Sequence, residues 1–109
     1  MRSSRNMPAI DGVLVTPLKN VGDERGRVMH VLRSDAPFFK KFGEVYISAI
    51  YSGVTKGWKM HKVASGNLAA PIGALRFVLH DTRQESPTFG VFDDITIGEE
   101  HYQLLTIPP

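Results

Sequence analysis

The chain has 109 residues, 42% of them apolar, and thirteen Lys and Arg against eleven Asp and Glu give a formal charge of +2. That length holds one domain at most, and the lack of cysteine excludes disulfides, thiolate chemistry and cysteine-based zinc sites. No apolar run approaches the ~20 residues that cross a bilayer, and the interspersed charges lack the long basic stripe of a nucleic-acid surface, so neither a membrane nor a nucleic-acid partner is expected.

Residues 1–9 read as a flexible N-terminal arm. Met1-Arg2-Ser3-Ser4-Arg5 has the basic start of a signal peptide, but Pro8 and Asp11 stand where its apolar segment belongs. A cytoplasmic location is the default expectation. Residues 12–16 predict a first strand, and the stretch from Asn20 to Gly26 predicts a turn. Residues 27–33 predict the next strand. Ser34-Asp35-Ala36-Pro37 interrupts it, and Ser34 or Asp35 is placed to cap a single helical turn that Gly43 stops.

Residues 44–51 alternate, with Val45, Ile47 and Ala49 on one face, and predict an extended segment. Residues 55–63 predict another, carrying the basic cluster Lys56, Lys59, His61 and Lys62 around Trp58. Residues 67–70 are short. Residues 75–81 have both faces largely apolar, the pattern of a central sandwich strand, with Leu75, Phe77 and Leu79 on one face. Strands over residues 89–97 and 102–107 follow, separated by Gly98-Glu99-Glu100. About eight short extended segments between Gly- and Pro-rich turns argue for a sandwich or barrel.

Four histidines are present, His30, His61, His80 and His101, and none forms the H-x-H spacing that puts two imidazoles on one strand face. The close pair that anchors a metal site is missing, so no metal is expected. His61 is the best single acid or base. On a regular strand it shares a face with Lys59. Such a face suits proton abstraction beside a carbonyl: the imidazole takes the proton and the cation stabilises the enolate oxygen. The same residues also read as an exposed histidine on a basic strand. Asp23-Glu24-Arg25-Gly26 reads either as a charged hairpin turn or as an anion site in which the Arg25 guanidinium grips phosphate oxygens. Asp81 and Arg83 are expected to form a structural pair.

Together these segments resemble the dTDP-4-dehydrorhamnose 3,5-epimerase family and its divergent nucleotide-sugar ketoisomerase relatives. The anchors are Asp23-Glu24-Arg25-Gly26 and the run from Asp81 to Gly90, which is similar to the family's D-x-R-x-x-S-P-T-x-G segment. The resemblance implies an all-β cupin (jelly-roll) β-sandwich and a homodimer. It implies no organic cofactor and no metal. Its substrate is a nucleotide-diphosphate sugar, a dTDP-4-keto-6-deoxy sugar, and its chemistry is proton removal next to the ketone by a histidine. It places Arg25 on the diphosphate. Lys56-Gly57 resembles the R-G of the family's R-G-L-H motif, keeping the charge without the planar fork. His61 corresponds to the catalytic histidine if two residues are accommodated after Trp58. An even insertion preserves strand facing but moves the imidazole by roughly 6–7 Å along a regular strand. The family lysine near the oxyanion falls at Asn67, with Lys59 as a spatial substitute, and Glu44 stands where glutamine is usual.

Family members continue past the Ile107-Pro108-Pro109 segment with strands that supply an orienting aspartate and a proton-donating tyrosine. Residues 10–109 are therefore expected to form a partial cupin domain lacking its C-terminal strands. Its residues 102–107 would be an unpaired edge, and its isomerase activity would be poor. The alternative is a non-catalytic cupin that binds a sugar nucleotide or a protein partner.

Overall fold

A computed structural model describes residues 7–109. Its regular elements are strands: β1 (Leu14–Pro17), β2 (Asn20–Asp23), β3 (Gly26–Met29), β4 (Gly66–Leu68), β5 (Ala74–His80), β6 (Phe92–Gly98) and β7 (Gln103–Ile107). Every pairing among them is antiparallel. They form a three-stranded sheet in the order β1-β7-β4, a β2-β3 hairpin and a β5-β6 pair. No helix among the described residues is long and apolar enough to cross a membrane.

Alternation explains which side chains meet. In β5, Leu75, Phe77 and Leu79 are half-buried while Ala74, Arg76, Val78 and His80 are exposed. In β6, Asp93, Ile95 and Ile97 point inward. The register sets Leu75 opposite Ile97, Phe77 opposite Ile95 and Leu79 opposite Asp93, so one face of this pair is apolar save for the Asp93 carboxylate at its end. That face packs on the β1-β7-β4 sheet. Ile10, Val13, Ala70, Ile95, Ile97 and Leu105 form the buried cluster, with Val15, Leu68 and Ile107 packed against it. Ile95, Ile97, Leu104 and Leu105 are fully buried, and each such side chain contributes roughly 1.5–3 kcal/mol of transfer free energy. The outer face of β5-β6 carries the Arg76–Asp94 ion pair at 2.7 Å and a stacked His80–Phe92 pair.

A polar knot closes the β5-β6 turn. The Arg83 guanidinium donates to both oxygens of Asp81, and Oδ2 also accepts from Ser86 Oγ at 2.6 Å and Thr88 Oγ1 at 2.7 Å. The expected Asp81–Arg83 pair is thus present. The knot also reaches the start of the chain: Arg83 donates to the Asp11 carbonyl, and the Asp11 N–H donates to Thr88 Oγ1. Gly12, with φ +86°, makes the turn that leads from there into β1. Ala9 and Ile10 donate their N–H groups to the buried Asp93 carboxylate. Ala9, placed in the arm on sequence grounds, is therefore held; residues 1–6 of that arm lie outside the described residues.

Several expectations need correction. Asn20–Asp23, read as a turn, is strand β2; Glu24 and Arg25 alone make the connection to β3. Residues 34–38 form turns closed by Ala36 N–H to Arg33 O and Phe39 N–H to Ala36 O, not a capped helical turn. Residues 44–51 and 55–63 are not strands. A strand needs a hydrogen-bonded neighbour, and no ladder among the described residues reaches them. Their alternating apolar residues stay in solvent: Ile47 is 96% exposed and Val63 89%. β5 pairs only with β6 among the described strands and exposes its second face, so it is not the central strand its composition predicts. Conversely β7, expected as a bare edge, is central, paired with β1 on one side and β4 on the other.

Candidate active site

The six candidate residues lie in three places. Arg25 is at the tip of the β2-β3 hairpin. Its guanidinium donates to Asp23 Oδ2 at 2.7 Å and its N–H to Asp23 Oδ1 at 2.8 Å. These bonds hold the Asp23 carboxyl below its usual range. The Arg25 side chain remains 83% exposed, and a shallow groove along the hairpin is lined by Asn20, Gly22, Asp23, Gly26 and Arg27. Both readings of this turn therefore keep a physical basis: the aspartate structures the hairpin, and the arginine fork is presented to solvent.

Glu44, Lys56, Lys59 and His61 lie on the long excursion between β3 and β4, and all are exposed. The excursion doubles back on itself at Gly53, whose φ of +82° permits the turn, and Val54 N–H closes it on the Tyr51 carbonyl at 3.0 Å. The two arms touch through cations rather than through a ladder. Lys56 Nζ donates to the Ala49 carbonyl at 3.0 Å. Lys59 Nζ lies 5.9 Å from the Tyr46 ring centroid, within cation–π range. Met60, the neighbour of His61, meets Thr82 Oγ1 through its sulfur at 3.9 Å. That contact brings the excursion back to the end of β5. His61 and Lys59 thus share a segment. The regular strand that would put them on one face is absent.

Asn67 is in β4, paired in register with Thr106 of β7. Leu68 and Ile107 pack against the core, so alternation sends Asn67 and Thr106 to the opposite side of the sheet. There Thr106 Oγ1 donates to Asn67 Oδ1 at 2.7 Å. Thr106 is 8% exposed. Leu104 and Tyr102 follow on the same side of the chain, and the buried Tyr102 hydroxyl has no hydrogen-bond partner among the described residues. Burial raises its pKa. No side-chain hydrogen bond or ion pair joins any two of the six candidates among the described residues. Sequence alone does not single out Thr106, because threonine is an ordinary strand residue; only the register sets it opposite Asn67.

No protein-family profile matches the chain. A solved structure, a dTDP sugar isomerase from Desulfovibrio desulfuricans G20, superposes with a TM-score of 0.89 at 39% identity, covering 92% of this chain and 64% of that one. A probable low-salt glycan biosynthesis epimerase, Agl13 of Haloferax volcanii, is 35% identical over 104 residues, 94% of this chain and 67% of its own length. This chain belongs to the cupin-fold nucleotide-sugar epimerase and isomerase family. The spore coat polysaccharide biosynthesis protein SpsL of Bacillus subtilis is also 35% identical, over 91% of this chain and 66% of that protein. The chain therefore spans about two thirds of the length of the relatives it matches. The likeness to the solved isomerase makes the fold an all-β jelly roll, and the regular elements of the described residues, all strands, agree with it.

Proposed function

We propose that this cupin domain serves an epimerase or isomerase that acts on a dTDP-4-keto-6-deoxy sugar. His61 removes the proton on the carbon next to the ketone. The electron pair of that C–H bond moves into the carbonyl, giving an enolate oxygen that Lys59 and Asn67 stabilise. Reprotonation of the same carbon from the other side inverts it; reprotonation of the former carbonyl carbon, with the neighbouring hydroxyl proton passing to the enolate oxygen, moves the ketone to that neighbouring carbon. Arg25 and Lys56 hold the diphosphate, with Glu44 on a sugar hydroxyl. The steps need no metal or organic cofactor, and the working assembly is a homodimer.

The observation that carries this reading is the likeness, at 39% identity, to a dTDP sugar isomerase. It is supported by the placement of His61 and Lys59 on one exposed, cation-rich excursion. The test is solvent-deuterium incorporation into dTDP-4-keto-6-deoxyglucose, followed by mass spectrometry for wild type and His61→Ala. Incorporation that falls by about two orders of magnitude in the variant supports general-base catalysis. Incorporation unchanged by the substitution removes His61 from the mechanism. Tight binding of the sugar nucleotide with no incorporation in the wild type identifies a non-catalytic binder instead.

A further inference from the structure

Resting on the reading that Asn67 faces the sugar nucleotide, we infer that Thr106 is a positioning residue that fixes which end of the Asn67 amide the ligand meets. An asparagine amide is ambivalent: its oxygen accepts and its nitrogen donates, and a rotation of half a turn exchanges them. On the β4-β7 sheet that ambiguity is removed. Thr106 lies directly opposite Asn67 in register. Its hydroxyl donates to Oδ1 at 2.7 Å, the distance of an O–H···O bond and shorter than the mode for N–H···O. Thr106 is 8% exposed, so its hydroxyl has few water partners and holds the one it has. Both hydrogens of Asn67 Nδ2 are left to donate on the side of the sheet away from the core.

This gives Asn67 the polarity the proposed chemistry needs. An enolate or phosphate oxygen is an acceptor, and a donor belongs opposite it. Without the Thr106 hydroxyl the amide is free to turn its oxygen toward that anion, where it repels. A purely structural Thr106 would instead serve only the β4-β7 pairing, and its loss would change stability without changing ligand recognition.

The test is a double-mutant cycle with dTDP-4-keto-6-deoxyglucose as probe, reading Kd, kcat and KM for wild type, Asn67→Ala, Thr106→Val and the double variant. Thr106→Val keeps the shape and removes the hydroxyl. It is expected to weaken recognition about tenfold, Thr106→Ser is expected to restore it to within about twofold, and the double variant is expected to be no worse than Asn67→Ala alone. Asn67→Ala impaired with Thr106→Val unimpaired overturns the inference and leaves the functional reading standing. Asn67→Ala unimpaired, or a wild type that does not bind the probe, overturns the functional reading and the inference with it. If Thr106→Val does not fold, the wild-type NMR spectrum decides: Nδ2, rather than Oδ1, turned toward Thr106 overturns the inference.

Discussion

Asp93 Oδ2 accepts the backbone N–H of Ile10 at 2.9 Å across a sequence separation of 83 residues. The same carboxylate takes the N–H of Ala9. A buried aspartate on β6 thus anchors the segment that carries Ile10 and Val13 into the core. Asp93→Ala leaves two N–H groups without their partner, and an unsatisfied buried donor costs about 1–3 kcal/mol. The variant is expected to unfold at lower denaturant concentration, and hydrogen exchange at Ile10 is expected to rise more than exchange in β7.

Acid stability follows from Asp81. Arg83 first, then Ser86 and Thr88, hold its carboxyl well below the ordinary value of 3.8. The unfolded chain therefore takes up this proton before the folded chain does. The stabilisation is complete above the ordinary carboxylate range and is lost as pH falls through that value toward the lower folded-state value. Asp81→Asn is expected to be less stable than wild type near neutrality, with the gap narrowing below pH 3.8. Melting temperatures for both proteins from about pH 7 to about pH 2.5 check this; a gap that widens on acidification refutes it.

Gly98 is required by a close approach of backbones. A Cβ there would lie 2.5 Å from the Gly73 carbonyl oxygen and 2.9 Å from Ala74 Cα. Neither atom can move without disturbing the end of the β5-β6 ladder, where Glu99 N–H donates to that same carbonyl. Gly98→Ala is expected to cost about 1–3 kcal/mol, measured by urea unfolding.

The fork of Arg25 separates the two readings of the hairpin tip. If it grips a diphosphate, Arg25→Ala raises the Kd for dTDP by about tenfold, the size of one charged hydrogen bond. Arg25→Lys recovers only part of the loss, because an ammonium cannot bind two oxygens in one plane. Calorimetry with dTDP measures both. Equal affinity in wild type and Arg25→Ala leaves the arginine as a partner of Asp23 and nothing more.

Much of this was legible in the residues. Leu75, Phe77 and Leu79 share a face in the sequence and in the structure, because strand side chains alternate whatever surrounds them. The Asp81–Arg83 pair was legible for a similar reason: residues two apart at a turn reach each other locally. Residues 44–51 alternate just as well and form no strand, because a ladder needs a second chain segment that local pattern does not specify. Of the candidate site, residue types were legible and their company was not. Asn67 gave no hint of Thr106, 39 positions away, nor Gly98 of the carbonyl it must clear.

By itself, then, the order of amino acids determined the all-β class, the Asp81–Arg83 pair and the family, whereas Gly12, read as the start of the first strand, makes a turn before it. The class, the pair and the family rest on side-chain alternation, reach between residues two apart and short motifs, all of which act within a few residues. The tertiary structure alone decided that β7 is central, that Asp93 ties down the start of the fold, and that Thr106 meets Asn67. Those are pairings between distant segments, selected by burial of the whole core.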